Sequence, residues 1–531
     1  MRYFNRRILL SLLLLSEASI ASAERWYSLG DYIDEEGTND LAGYAVANSQ
    51  DGKFIVIGAP HYSPAEEKGT PFKGSKYAGR VIVYTLDSET DTWSKLGSEI
   101  VGDNGEELGT SVDILDDGET IIVGTKDSDG DKRDAGSVKV FELNKSREEI
   151  KWVRKGQTIF GEHPYDECGA SVAIADRSKI LAFGCPGHDE ENMIGVGEVR
   201  VFEFDDLTDK WLPIDNAPSM KGEHANGRFG SSLGVSEVGS LAVGAPFAKN
   251  SKGVVKMFNY NALDKTWDPE GKEVWGKHPG DKCGTSVAMS RQGEHVIIGS
   301  PHWEHDGKKN SGAIIVLNYS SPDSKWFEVG SEIVGEEGDE FGTAVDISDD
   351  GTRIAVGSPT SGSMDDKESG HISVYHYKKE EKKWTLSDAK IKGKGEFAHQ
   401  GYSVSVSGDG TEVIAGAPMR GYASVYTLAT TAPPTMAPST ANERKHKGAE
   451  HGDHQKKKRG NNGNNTGPTN GFGTFVLVIF IVGVVGASGF FATKGVIYLH
   501  QKRKTRASFQ PTPNTDMSCL NEEIVSDGTF A

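Results

Sequence analysis

One phrase, written seven times, limits what this chain can fold into. Residues 341–359 read FGTAVDISDDGTRIAVGSP, and close variants occur at 42–60, 108–125, 168–186, 229–246, 283–301 and 400–418. Their leading glycines are Gly43, Gly109, Gly169, Gly230, Gly284, Gly342 and Gly401. Self-similarity at such a period is the mark of a repeat architecture, in which each copy is one supersecondary unit that needs its neighbours to bury its faces. Each unit holds four strand-like runs, in the sixth TAVDIS, TRIAVGS, HISVYHY and KWTLSD. Alternation and β-branched residues make these strands rather than helices.

The count of pieces predicts how the array ends. Third strands recur seven times, from GRVIVYTL (79–86) to GYASVYTL (421–428), but only six are followed by a tryptophan-led fourth strand, at Trp93, Trp152, Trp211, Trp267, Trp326 and Trp384. The missing piece stands at the other end, where Trp26 opens WYSLGDYI, a match for WSKLGSEI at 93–100. An all-β, seven-bladed propeller over 24–429, closed by the N-terminal strand, accounts for both, because closure leaves only short outer edges unpaired. The Asp-Asp-Gly turns read as hairpins whose glycine takes positive φ, and the following Gly-Ala/Ser-Pro ends the second strand, since proline cannot donate to a ladder.

At these residues the chain resembles the FG-GAP repeat family, the seven-bladed propellers of integrin α subunits and related surface proteins. The resemblance covers about three quarters of the chain and implies the seven-bladed propeller; the fold does not by itself imply integrin function. Calcium-binding members carry an Asp/Asn-rich loop between the first two strands. Here the leading glycine and the later glycine of Gly-Ala-Pro are 15 apart, or 14 in the fourth copy, which leaves room only for a hairpin, so the family's repeat calcium sites are not carried over.

The ends set the topology expected for the chain. Residues 1–23 read as a secretory signal peptide, with Arg2, Arg6 and Arg7 before ILLSLLLL and a small-residue cleavage site at Ala21-Ser22-Ala23. Residues 430–472 are Pro/Thr-rich, then charged and Asn/Gly-rich, the composition of a disordered stalk. Residues 473–493 are apolar and long enough, at about 30 Å as a helix, to cross a membrane, and KRKTR at 502–506 suits a cytoplasmic flank for the short tail 494–531. A type I, single-pass protein in the plasma membrane or an endomembrane is expected. This layout is similar to that of iron-starvation-induced surface proteins of diatoms.

Composition and motifs narrow the function. With 58 basic and 77 acidic residues, net −19, nucleic acid and anionic surfaces are poor partners. No HExxH, CxxC or Walker loop occurs, and Gly230-Ser231-Ser232-Leu233-Gly234 sits on a strand rather than a nucleophile elbow; no enzyme is expected. An extracellular ligand or protein partner is, with an endocytic nutrient receptor, for example for an iron chelate, as the alternative and a surface-anchored enzyme as a remote one.

Strand counting puts the second-to-third-strand loops and the blade-to-blade loops on one face. There Asp127, Asp129, Asp131 and Asp134 offer hard oxygen ligands, although the loop lacks an EF-hand's sixth-position glycine and twelfth-position glutamate; no cofactor is required, and a single weak calcium site is the most it supports, against a plain solvated loop. His163, His224 and His278 occupy matching positions on consecutive blades, with His188, His302 and His305 in loops of the same face. Together they are candidates to bind a metal or an anionic chelate, against repeat ancestry alone. Trp303, between two of these histidines, is the candidate contact anchor. Cys168 and Cys185 lie across a hairpin of the third blade, a candidate disulfide that leaves Cys283 unpaired. Asn144, Asn318 and Asn464 head glycosylation sequons.

Overall fold

A computed structural model describes residues 24–34, 40–64, 77–146, 149–176, 179–214, 219–362 and 367–429. The expected signal peptide (1–23), stalk (430–472), membrane span (473–493) and tail (494–531), and the sequon at Asn464, lie outside the described residues. Among the described residues no helix is long and apolar enough to cross a membrane.

The described chain forms seven antiparallel sheets, one per repeat. Blade 1 holds Ala45–Asn48, Phe54–Ala59, Arg80–Asp87 and Thr92–Lys95, and blades 2 to 6 repeat that order. Blade 7 takes Ser403–Val406, Glu412–Ala417 and Tyr422–Ala429 from the end of the ring and its outer strand, Arg25–Ser28, from the start. Arg25 pairs with Ala429 and Trp26 with Leu428. The innermost strands touch in ring order, and the last, Ser403–Val406, touches the first, Ala45–Asn48. The chain is a closed seven-bladed β-propeller.

The repeated phrase has a packing cause. The second-strand glycine of each Gly-Ala-Pro copy lies against the leading glycine of the next blade. A Cβ on Gly184 would stand 1.9 Å from the Gly230 carbonyl oxygen, and one on Gly416 would stand 2.0 Å from that of Gly43. The same contact recurs at Gly58, Gly124, Gly244, Gly299 and Gly357. The serine two residues past the leading glycine fastens this seam. Ser111, Ser171, Ser232, Ser286 and Ser403 each donate a hydroxyl hydrogen bond to the next blade's leading-glycine carbonyl, at 2.8–2.9 Å. Blades 1 and 6 carry Ala45 and Ala344 there and lack the bond's donor. Apolar clusters fill the space between blades: Val56, Val81 and Val83 of blade 1, for instance, pack with Ile121, Val123, Phe141 and Trp152 of blade 2.

Each outer strand comes in two pieces rather than the single run the sequence suggests. In blade 1, Thr92–Lys95 and Ile100–Val101 both pair with Arg80–Asp87, and Gly97 between them has φ 73. The interruption receives the next blade's tryptophan: Trp152 donates its indole N–H to the Leu96 carbonyl at 2.9 Å. Trp93, Trp211, Trp326 and Trp384 bond the Leu29, Lys155, Glu270 and Val329 carbonyls in the same way. Asp215 and Asp388 stand where blades 3 and 6 would carry this glycine. The two tryptophans that follow those blades, Trp267 and Trp26, have indole N–H groups with no acceptor among the described residues.

Closure at blade 7 uses more than the ladder. The Glu24 carboxylate accepts two hydrogen bonds from the Arg353 guanidinium of blade 6, at 2.7 and 3.0 Å, which hold its pKa below the usual carboxylate range. A lowered folded pKa means stabilisation that is present above the unfolded pKa and lost as pH falls through the folded one. Glu24→Gln is therefore expected to cost about 1 kcal/mol near neutral pH, and the difference in melting temperature from wild type should shrink in acid. A difference that stays constant from neutral pH into acid would refute the assignment.

Candidate functional site

The two ends of the ring are built differently. At one end lie the tight first-to-second-strand turns, shaped by glycines such as Gly351, φ 66. Ties cross the ring here between blades that are not neighbours: Arg291 of blade 5 pairs with Asp116 of blade 2, and the Gln50 amide of blade 1 hydrogen-bonds Asp349 of blade 6. The Gly408 N–H of blade 7 adds a bond to the Gln50 carbonyl at 2.8 Å. Inside the channel, Asp113 and Asp346 accept the N–H groups of Ile174 and Val406 in the next blades, at 2.9 and 2.7 Å. Enclosure pushes their pKa values up to about 7 and about 6. These carboxylates join inner strands.

At the other end lie the long loops and a collar at the position two residues before each leading glycine: Leu41, Glu107, Glu167, Arg228, Lys282, Glu340 and His399. All seven have φ between 48 and 60. Because every blade shares this conformation, it belongs to the repeat and not to one site. The collar is stitched by Arg228–Glu167, by Lys282 beside His302 at 3.3 Å, and by His399 with Glu368 at 3.1 Å. One position earlier, blades 1, 2, 3, 5 and 6 carry a buried carboxylate, Asp40, Glu106, Asp166, Asp281 and Asp339. The last four accept the backbone N–H three residues before them. The sequence signal for these acids is their alignment in DLAG, EELG, DECG, DKCG and DEFG, which the pattern of histidines obscures.

The partners of these acids set blade 3 apart. Asp40 faces Arg80, Glu106 faces Lys139 and Asp339 faces Lys390, and Asp281 faces the single imidazole of His278 at 3.9 Å. Asp166 instead faces two imidazoles. Its Oδ1 lies 3.2 Å from His188 Nδ1 and its Oδ2 lies 3.6 Å from His163 Nδ1, and Oδ2 also accepts the His163 N–H at 2.8 Å. The three ligand atoms lie within 4.8 Å of one another, the one such group of His, Cys, Asp or Glu among the described residues. His188 is 6% exposed, with Nε2 lacking a hydrogen-bond partner and facing the Glu190 and Glu198 carboxylates at 3.6 and 3.7 Å. The hydrogen bond to Asp166 raises the His188 pKa. His163 is exposed to solvent.

A covalent clamp sits under this group. Cys168 and Cys185 form a disulfide with Cα atoms 3.9 Å apart, two residues past Asp166 and three before His188. In blade 5 the corresponding positions are Cys283 and Ser300, and Cys283 is buried as a free thiol, its pKa pushed up to about 12 by burial.

The remaining candidates fall elsewhere. His224 packs on Trp275 and His278 on Trp303, with ring centroids 5.5 and 6.4 Å apart, so the three matched histidines do not converge. His302 is withdrawn between Lys282 and Glu340, and burial lowers its pKa to about 4; His305 stands exposed beside Asp306. Trp303 is not a protruding anchor: it is 6% exposed, with Lys277 Nζ 4.4 Å above its ring. An indole that large is better buried than left in water. The loop at 127–134, read as a solvated acidic loop or at most one weak calcium site, brings no three of its carboxylates together among the described residues. Asp129 accepts the Asp134 N–H at 3.0 Å, Asp127 pairs with Lys126, Asp134 lies by Arg133, and Asp131 is exposed, so the four carboxylates answer separate neighbours. Asn144 is exposed at the end of its strand, while the Asn318 amide bonds the Glu294 carbonyl and His295.

The fold defines the class, a seven-bladed β-propeller with an imidazole–carboxylate group in the loops of its third blade. Compared with known proteins, the chain matches no family model and no curated sequence.

Proposed function

We propose that the chain is a single-pass type I cell-surface receptor or adhesion protein, in the manner of the FG-GAP propellers it resembles, whose loop face binds an extracellular ligand or protein partner. The observation that carries this reading is the contrast between the two ends of the ring. One is crossed by ties between distant blades; the other mounts loops 126–135, 187–196 and 302–311 on a rigid scaffold, where binding residues concentrate. The third strand of blade 7 ends at Ala429 on the tied end, so the loops point away from where the chain leaves the ring. A disulfide in blade 3 suits an oxidising compartment. A nutrient-uptake receptor is the second reading, favoured by the His163–Asp166–His188 group.

The test uses the full chain displayed on cells and partners cross-linked from the extracellular medium. Replacing His163, His305 and Asp306 with alanine, with buried Trp303 left in place, is expected to reduce capture. Charge reversal across Lys378–Lys383, a turn on the tied end, is expected to leave it unchanged. The opposite pattern would move the binding surface to the other end and overturn the reading.

A further inference from the structure

We propose that His163, Asp166 and His188 form a binding site for a divalent transition-metal ion of the zinc or cobalt class, open on one side to an oxygen-donor ligand. The inference deepens the loop-face reading and rests on it for the ligand's access, though not for the metal itself.

Imidazole nitrogens with one carboxylate favour borderline ions over calcium or magnesium, which prefer all-oxygen shells. Tetrahedral bonds of roughly 2.0–2.1 Å place ligand atoms about 3.3 Å apart. Asp166 Oδ1 and His188 Nδ1 are 3.2 Å apart, and one ligand atom from each of the three residues lies within 4.8 Å of the others, so rotation of the exposed His163 side chain would close the set around an ion. An ion on His188 Nδ1 would replace that nitrogen's hydrogen bond to Asp166 and put the ring proton on Nε2. That atom is buried and without a partner now, and it faces Glu190 and Glu198. A carboxylate receiving the far N–H of a ligating histidine is the usual outer support of such sites. Asp166 is itself oriented by the His163 backbone N–H on Oδ2, which leaves Oδ1 to the ion.

Two further features separate this group from a chance meeting of side chains. Blades 1, 2 and 6 place lysine or arginine against the corresponding acid, and blade 5 places one imidazole, His278, 3.9 Å from Asp281, so the second imidazole, His188, is what repeat geometry does not supply. The Cys168–Cys185 disulfide ties together the two segments that carry the ligands, which limits the ordering cost of assembling them. His163, on the solvent side, leaves the remaining coordination positions to water or to an anionic chelator.

The experiment strips the full chain of metal with a chelator, titrates it with Co2+ while recording visible absorption, and then competes with Zn2+. One saturable equivalent is expected, with a Co2+ spectrum of low coordination number displaced by Zn2+. His163→Ala and His188→Ala should each weaken binding by at least about tenfold, and His305→Ala should not. Because His163 is exposed, its variant decides the question if the His188 variant fails to fold. Unsaturable binding, or equal affinity in wild type and His163→Ala, overturns the site. Partner capture by metal-stripped chain separates the two proposals: absent metal binding with loop-dependent capture intact removes only this one, and metal binding without loop-dependent capture removes only the receptor reading.

Discussion

A chain lacking residues 24–34 is expected to lose most of its stability. The segment supplies the whole outer strand of blade 7, paired to Tyr422–Ala429 through Arg25–Ser28 and Ile33–Asp34. It also buries Trp26, Leu29 and Ile33, each 7–8% exposed. Trp26 belongs to a cluster with blade 6 and blade 7 residues, and Leu29 and Ile33 to one that joins blade 7 to blade 1. Burying Leu29 and Ile33 contributes about 1.5–3 kcal/mol each, and a buried tryptophan truncated to alanine costs about 3–5 kcal/mol. Together these are of the order of the roughly 5–15 kcal/mol by which a whole domain is stable. The loss also uncovers the ladder edge of Tyr422–Ala429, so aggregation should accompany it. Thermal melts and light scattering of the full and shortened chains check this; equal melting temperatures would mean that the ring does not depend on its closing strand.

The second large effect is expected from one methyl group. Gly416→Ala would place a Cβ 2.0 Å from the Gly43 carbonyl oxygen and 2.4 Å from Ser403 Oγ, at the seam where blade 7 meets blade 1. Neither contact can be relieved by turning a long side chain, because one is backbone and the other is the hydroxyl that donates to that same carbonyl at 2.9 Å. The blades must separate, at a cost of about 3 kcal/mol or more. Ser403→Ala removes only the hydrogen bond and should cost about 1 kcal/mol. Denaturant titration of both variants gives the comparison, and a Gly416→Ala effect no larger than that of Ser403→Ala would show that the seam has slack.

The propeller was legible because its information is periodic. Seven leading glycines and six tryptophans, with Trp26 left over, specify blade number and closure by counting. The split outer strand was less legible, since its break at Gly97 depends on an indole arriving from another blade. The candidate site was legible only in part, for the same reason that the fold was clear. Comparing copies groups His163 with His224 and His278, whereas space groups His163 with His188 and with Asp166, residues that come from different positions of one repeat. Trp303 misled because hydropathy around it is polar, while the lid that buries it, Lys277 and His278, comes from a loop about 25 residues earlier. The Asp127–Asp134 carboxylates carried the right chemistry, but their directions are set by the turn, which Asp129 closes on the Asp134 N–H.

The position of Ala429 bears on how the molecule would carry a mechanical load. Its strand, Tyr422–Ala429, is flanked on one side by Glu412–Ala417 and on the other by Arg25–Ser28 and Ile33–Asp34. A pull on the chain beyond Ala429, directed along that strand, would strain the hydrogen bonds to both neighbours in shear, many at once, instead of unzipping them singly. The N-terminal strand would thus share the tension at the point where the chain leaves the ring.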